Sequence, residues 1–298
     1  MSRAPDDERS IPRRVTRGDV DLAVFERGAP DAETIVLVHG YPDSHVVWDR
    51  VAAVLARRFH VVAYDVRGAG DSSAPRSRDG YRIEELAADL RAVIDATSAG
   101  RPAHVVAHDW GSIQSWEAVT DERISPRIAS YTSISGPCLD HVALWLREGV
   151  SSGSYGRVAA QLVRSWYVAF FQIPGAAERL WRAGLARAWP GMLRRTEGVT
   201  DPAPVRPDDG VRGLELYRAN VPRRLRAPRD RTTRVPVQIL IPLGDRFVTP
   251  PLARAAERFA PRLTIHEIEG GHWVLRDAPD TIAEHVIAHV DAAARLAP

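Results

Sequence analysis

The 298-residue chain is 45% hydrophobic, with 40 basic against 38 acidic side chains and a formal net charge of +2, which suits a soluble globular fold large enough for one domain with an insertion and gives no global basic field for nucleic acid. Every basic residue is arginine, so Schiff-base lysine chemistry and a Walker lysine are excluded. The single cysteine, Cys138, rules out an internal disulfide and makes a reducing cytoplasm the expected setting.

The N-terminal stretch "MSRAPDDERSIPRR" is charged and lacks an apolar export core, and no later window approaches the roughly 18 apolar residues of a membrane span, so neither export nor insertion is expected. Strands are predicted at 19–28, 34–40 and 60–68, with a helix at 48–57 between the last two. A second helix is expected at 83–98, where Ile83, Leu86, Leu90, Val93 and Ile94 recur at helical spacing. "HVVAHD" is the next strand, 112–121 the next helix and 127–136 another strand. From 137 to 234 no buried strand is evident, and helix-like patches such as "RVAAQLVRSWYVAFF" take over. The rhythm returns with a strand at 235–244, a helix at 251–259, a strand at 263–270 and a terminal helix at 281–295. The chain therefore reads as an α/β fold with a mostly parallel sheet flanked by helices: a core of 1–136 and 235–298, interrupted by a helical cap over 137–234.

Functional groups in open α/β sheets collect at the carboxyl ends of strands. Asp109, His39-Gly40-Tyr41-Pro42, Asp245 and His272 all fall at such ends. "VVAHDWGSI" has the outline of a nucleophile elbow, a sharp strand-to-helix turn that lifts one side chain above the sheet, and the lifted residue is Asp109. The order nucleophile, acid, histidine is that of α/β-hydrolases. A carboxylate attacking an ester would give an unstable anhydride; against a saturated electrophilic carbon it forms a stable alkyl ester that water must then cleave.

Five motifs carry a resemblance over nearly the whole chain to the α/β-hydrolase superfamily and, within it, to the epoxide hydrolases: "HGYPDS", "DVRGAGDSS", "AHDWGS", "GDRFVTP" and "GGHW". The resemblance implies that Asp109 is the nucleophile, His272 the base for the hydrolytic water and Asp245 its supporting acid, with backbone N–H groups of Tyr41 and Trp110 as the oxyanion hole. "SWYVAFFQIPGAAE" and "GLELYRANVP" resemble the two tyrosine-bearing cap segments of the family, which makes Tyr167 and Tyr217 the acids that protonate the epoxide oxygen. The expected substrates are an apolar epoxide and water, without cofactor or metal; a homo-oligomer is left open.

The alternatives are a haloalkane dehalogenase-like hydrolase, which commonly has Asn where Tyr41 stands, and a non-catalytic binding protein of the same fold. Asp140 is a weaker rival for the acid. His39 and His108 read as structural hydrogen-bonders, while Trp48, Trp145, Trp166, Trp181, Trp189 and Phe170 fit either core packing or a pocket lining. Arg218, Arg223, Arg224, Arg226, Arg229, Arg231 and Arg234, interspersed with Pro222, Pro228 and Pro236, are expected to form a solvated connection.

Overall fold

A computed structural model describes residues 12–295. Eight strands, β1 (Arg13–Arg17), β2 (Val20–Arg27), β3 (Thr34–Val38), β4 (His60–Tyr64), β5 (Ala103–His108), β6 (Ile128–Ile134), β7 (Val237–Pro242) and β8 (Leu263–Ile268), form one sheet in the order β1-β2-β4-β3-β5-β6-β7-β8. The first two strands run antiparallel, and β2 joins β4 antiparallel; from β4 to β8 every pairing is parallel. The order turns back at β3, which pairs with both β4 and β5, so the loops after β3 and β5 meet above the sheet's carboxyl edge.

The sheet is covered on both faces, which is why its central strands are apolar throughout rather than alternating. Residues of alternating parity serve two cores. Val36 and Val38 of β3 and Val105 and Ala107 of β5 pack with α2 (Ile83–Thr97) and α3 (Trp110–Thr120). Ile35, Leu37 and Val106 face the other way, onto α1 (Asp49–Leu55) and α12 (Pro279–Arg295).

Between β6 and β7 the described residues form helices only: α4 (Leu139–Ser151), α5 (Tyr155–Arg164), α6 (Trp166–Phe170), α7 (Ala176–Leu180), a π-turn at Trp181–Leu185, α8 (Ala186–Thr196) and α9 (Pro207–Arg226). After β7 come α10 (Pro250–Ala253) and, following β8, α11 (Val274–Asp277).

Two expectations need correction, and one strand has no counterpart in the sequence reading. The charged stretch at 13–17 is a strand; it lies at the sheet edge with only Val15 buried, a position where exposed arginines are tolerated. The helix expected at 251–259 is only one α-turn, α10, continued as a 3-10 turn at Arg254–Ala256. The arginine cluster is a solvated connection only in part: Arg223, Arg226, Arg229 and Arg234 are exposed, whereas Arg224 and Arg231 are buried. Arg224 lies in α9 and is buried, its Nη1 donating to Asp140 (2.9 Å) and its Nη2 to Glu84 and Glu117 (2.9 Å each), while Arg231 donates to Glu117. The compensating carboxylates come from α2, α3 and α4, far away in sequence, so a charge run judged locally looks solvated.

Candidate active site

Asp109 sits between β5 and α3 with φ 51° and ψ −124°, a left-handed conformation that an aspartate holds only when its surroundings enforce it. Enforcement comes from both sides. Its N–H donates to Ile134 O (3.0 Å), its carbonyl accepts from Ile113 N–H (2.9 Å), and a Cβ at Gly111 would overlap the carbonyls of Val38 and His39. The turn therefore projects the carboxylate above the sheet, the geometry expected of the elbow.

The carboxylate meets groups from three other loops. Tyr41 N–H, after β3, donates to Asp109 Oδ1 at 2.7 Å, and the Trp110 N–H bonds the same carboxylate. His272, after β8, holds Nε2 at 3.6 Å from Asp109 Oδ2 and Nδ1 at 3.1 Å from Asp245 Oδ2. Asp245 is fixed in turn, its Oδ1 accepting from the N–H groups of Phe247 (2.7 Å) and Val248 (3.0 Å). Asp140, the rival acid, faces Arg224 and Arg229 instead.

Charge follows from this arrangement. Burial disfavours the imidazolium, yet the Asp245 charge and the carboxylates on either side push the His272 pKa up to about 10. Burial likewise opposes ionisation of Asp109 and Asp245, but in both the neighbouring His272 and backbone N–H donors win and hold the carboxyl below its ordinary value. The resting site is thus an imidazolium between two carboxylates. His108 donates Nε2–H to the His272 carbonyl (2.9 Å), and burial depresses its pKa to about 4, so it stays neutral and structural. His39 does the same kind of work, accepting Val66 N–H at Nε2 (2.9 Å).

Tyr167 from α6 and Tyr217 from α9 close the site from above, their rings 6.0 Å apart and edge to face. Burial raises both phenol pKa values, with the Asp109 charge adding to it in each case, so both remain neutral donors. Tyr217 packs on Trp110 (4.8 Å) and Tyr41 (5.4 Å); Phe171 contacts Tyr41, Tyr167 and Tyr217, and Phe247 bridges Tyr167 to His272. Gly213 of α9 allows this closeness, since a Cβ there would strike the Tyr41 ring, whose hydroxyl donates to Gly210 O at 2.8 Å. Two cavities of about 10 and 20 Å³ border the cluster, behind Asp245 and beside Tyr41, each too small for an organic molecule. Among the aromatic residues, Trp48 is buried in the core, Trp181 and Trp189 pack together next to Tyr41 and Trp273 respectively, and Trp166 faces solvent.

Three residues escape a sequence reading. Asp43, within the "HGYPDS" loop, is buried and accepts Trp273 Nε1–H (2.9 Å); burial, with the Asp109 charge behind it, pushes its carboxyl up to about 7. Glu197, ending α8, lies beside the His272 loop with its pKa raised by burial and Oε2 unpartnered among the described residues. Asn220, one turn beyond Tyr217, accepts Ile83 N–H and donates to Tyr81 O (2.8 Å each), pinning α9 to the start of α2. Asp43 lay in a quoted motif; the other two carry no local signal.

A family model for the α/β hydrolase fold matches residues 33–279. The chain is an α/β hydrolase-fold protein. This α/β hydrolase is 36% identical over 287 residues to "Probable oxidoreductase EphD" of Mycobacterium tuberculosis, an alignment covering 92% of the chain and 48% of that protein. It is 32% identical over 191 residues to "Epoxide hydrolase A" of the same organism, covering 64% of the chain and 55% of that protein. The α/β hydrolase thus spans about half the length of these relatives. In three dimensions it superimposes on the crystal structure of Bacillus megaterium epoxide hydrolase with an inhibitor, with a TM-score of 0.76 at 22% identity over 94% of this chain and all of that one. No helix among the described residues is long and apolar enough to cross a membrane.

Proposed function

We propose that this α/β hydrolase opens epoxides to vicinal diols through an alkyl ester on Asp109, with 137–234 serving as the cap over the core expected of 1–136 and 235–298, of which 12–136 and 235–295 are described. The observation that carries the reading is the pair of neutral tyrosines, Tyr167 and Tyr217, facing an ionised Asp109 that has an imidazole behind it. A halide leaves without a proton; an epoxide oxygen needs one.

In the first step Asp109 Oδ2 attacks a ring carbon. The C–O bond to the carboxylate forms as the ring C–O bond breaks, and the released oxygen takes a proton from one tyrosine while the other donates a hydrogen bond. Oδ1 becomes the ester carbonyl and keeps the Tyr41 N–H it already accepts, with the Trp110 N–H beside it. Alkylation removes the Asp109 charge, one of the causes that raise the His272 pKa. The imidazolium then gives its proton to the tyrosinate left by ring opening, which restores the phenol and leaves a neutral imidazole that can act as a base.

In the second step His272 takes a proton from water and the hydroxide oxygen adds to the ester carbonyl carbon. The tetrahedral intermediate, held by the two N–H groups, collapses as the bond to the diol oxygen breaks; that oxygen takes the proton of the added hydroxyl, and Asp109 is again a carboxylate beside the imidazolium of the resting state. Asp245 holds the tautomer and the charge throughout. The relatives named epoxide hydrolase support this reaction class.

Turnover of a simple aryl epoxide to its diol tests the reading, with a haloalkane of matched chain length as the comparison. Diol formation much faster than halide release is expected. Faster halide release would favour the dehalogenase alternative, and no turnover of either would favour a binding protein.

A further inference from the structure

Helix α6, which carries Tyr167, and the helix before it, α5, share an outer face of unusual character. In α5 the inward side is made by Val158 and Gln161, the latter donating to Phe247 O and accepting from Thr249. The outward side is apolar: Tyr155, Ala159, Leu162 and Val163 recur at helical spacing, with Trp166 on the next turn. Leu162 is 54%, Val163 72% and Trp166 66% exposed, and Ile173 and Leu180 follow in the same exposed state. An amphipathic stripe of this kind normally faces a core; here it faces water.

Charge says what could cover it. Residues 152–196 hold seven arginines and one acid, Glu178, while the rest of the chain is net acidic. All seven, Arg157, Arg164, Arg179, Arg182, Arg187, Arg194 and Arg195, are exposed, and none pairs with a carboxylate among the described residues, although Arg164 turns its Nη1 inward to donate to Asp245 O (3.1 Å) and leaves six to face outward; Glu178 is taken by Arg218. Elsewhere arginines such as Arg17, Arg67 and Arg127 are matched with acids. Positive charge without a carboxylate partner thus accompanies the exposed apolar side chains along the same stretch of chain, 152–196.

From these observations we propose that the outer face of α5 to α7 docks on an anionic lipid bilayer, with Leu162, Val163 and Trp166 entering the interface and the arginines meeting the headgroups. Tryptophan suits that boundary, and an amphipathic helix with arginines beside its apolar stripe binds in the plane of the membrane. A second copy is a poorer occupant, since a two-fold contact would bring the same uncompensated arginines together. Single-stranded nucleic acid calls for aromatic stacking platforms, whereas most of this stripe is aliphatic. Trp166 and Tyr167 are consecutive in α6 and point opposite ways, one to solvent and one toward Asp109, so docking would set a bilayer beside the site. The surface stands on its own residues, whatever reaction Asp109 performs.

The test is co-sedimentation of the full chain with vesicles of equal parts phosphatidylcholine and phosphatidylglycerol, against pure phosphatidylcholine. Binding to the anionic vesicles alone is expected, weakening at high salt as surface charge is screened. Arg157→Gln or Arg179→Gln should each lower partitioning about fivefold, and Val163→Asp with Trp166→Asp should abolish it. Arg76→Gln, an exposed arginine outside the cap, should leave it unchanged. Should the aspartate variants unfold, Trp166→Phe combined with brominated lipid replaces them, because the fluorescence quenching by lipid should then disappear. Absence of binding to anionic vesicles at low salt would overturn the proposal. So would equal loss in Arg76→Gln and the cap variants, a doubling of mass in light scattering that Trp166→Asp removes, or binding of an oligonucleotide but not of vesicles.

Discussion

His272 Nε2 and Asp109 Oδ2 lie 3.6 Å apart, while the opposite ring nitrogen of His272 is 3.1 Å from Asp245. One imidazole therefore lies between two carboxylates, and the proposed mechanism esterifies only Asp109. In the proposed mechanism the raised pKa belongs to the resting state and falls on alkylation of Asp109, which would separate the two steps in charge as well as in time.

The tyrosine pair gives the first expectation. Tyr167→Phe or Tyr217→Phe should each slow diol formation and leave measurable activity, because the remaining hydroxyl still faces Asp109. The double variant should lose at least the roughly 10² to 10⁴-fold typical of general acid catalysis. A folded double variant at near the parental rate would return both rings to packing.

Buried neutral histidines set the acid limb of stability. Burial lowers the pKa of His104, His108 and His141 to about 4, against about 6.5 in the unfolded chain. Between these values the unfolded state binds more protons, so this contribution is complete above about 6.5 and is lost as the pH falls through about 4. Chemical denaturation at pH 5 and pH 7 should show a lower midpoint at pH 5, and His104→Gln should flatten that difference by on the order of 2 kcal/mol.

Asp43 works in the opposite sense. Its folded pKa of about 7 lies above the ordinary carboxyl value, so its contribution is present below about 4 and is lost as the pH rises through 7. Asp43→Asn should therefore raise the thermal midpoint at pH 8 by several degrees, corresponding to about 2 kcal/mol or more, and should do little at pH 4. An unchanged midpoint at pH 8 would mean that the carboxylate is stabilised by its partners rather than burdened by burial.

How much of this was legible in sequence depends on how local each signal is. β3, β5 and the elbow were readable because apolar runs ending in Gly40 and Gly111 state strand, turn and close approach within ten residues. Asp245 and His272 were readable from position alone, each just beyond a strand. Arg224 was not, since its meaning lies in Glu84, Glu117 and Asp140, which only folding brings together. The same holds for Glu197 and Asn220, ordinary polar residues whose burial is a property of the cap's packing. The strand at 13–17 was missed because its charges obey edge-strand logic rather than core periodicity.

Arg224 yields a further expectation. Removing one member of a buried ion network leaves Glu117 and Asp140 short of their countercharge, so Arg224→Ala should destabilise the fold by about 3–5 kcal/mol. Truncating an exposed arginine such as Arg91, paired with Asp95 on the surface of α2, should cost about 0–1 kcal/mol. Because α9 also carries Tyr217, activity in Arg224→Ala should fall before the protein unfolds.

The most direct test of an Asp109 ester is to trap it. Attack on the ring needs the carboxylate and the tyrosines, whereas hydrolysis needs the imidazole, so His272→Gln mixed with an epoxide that the parent turns over should gain the mass of one substrate molecule. Peptide mapping by mass spectrometry should place that mass on Asp109. A folded His272→Gln protein that gains no mass, or gains it on any other residue, would contradict the covalent mechanism and the division of roles between Asp109 and His272.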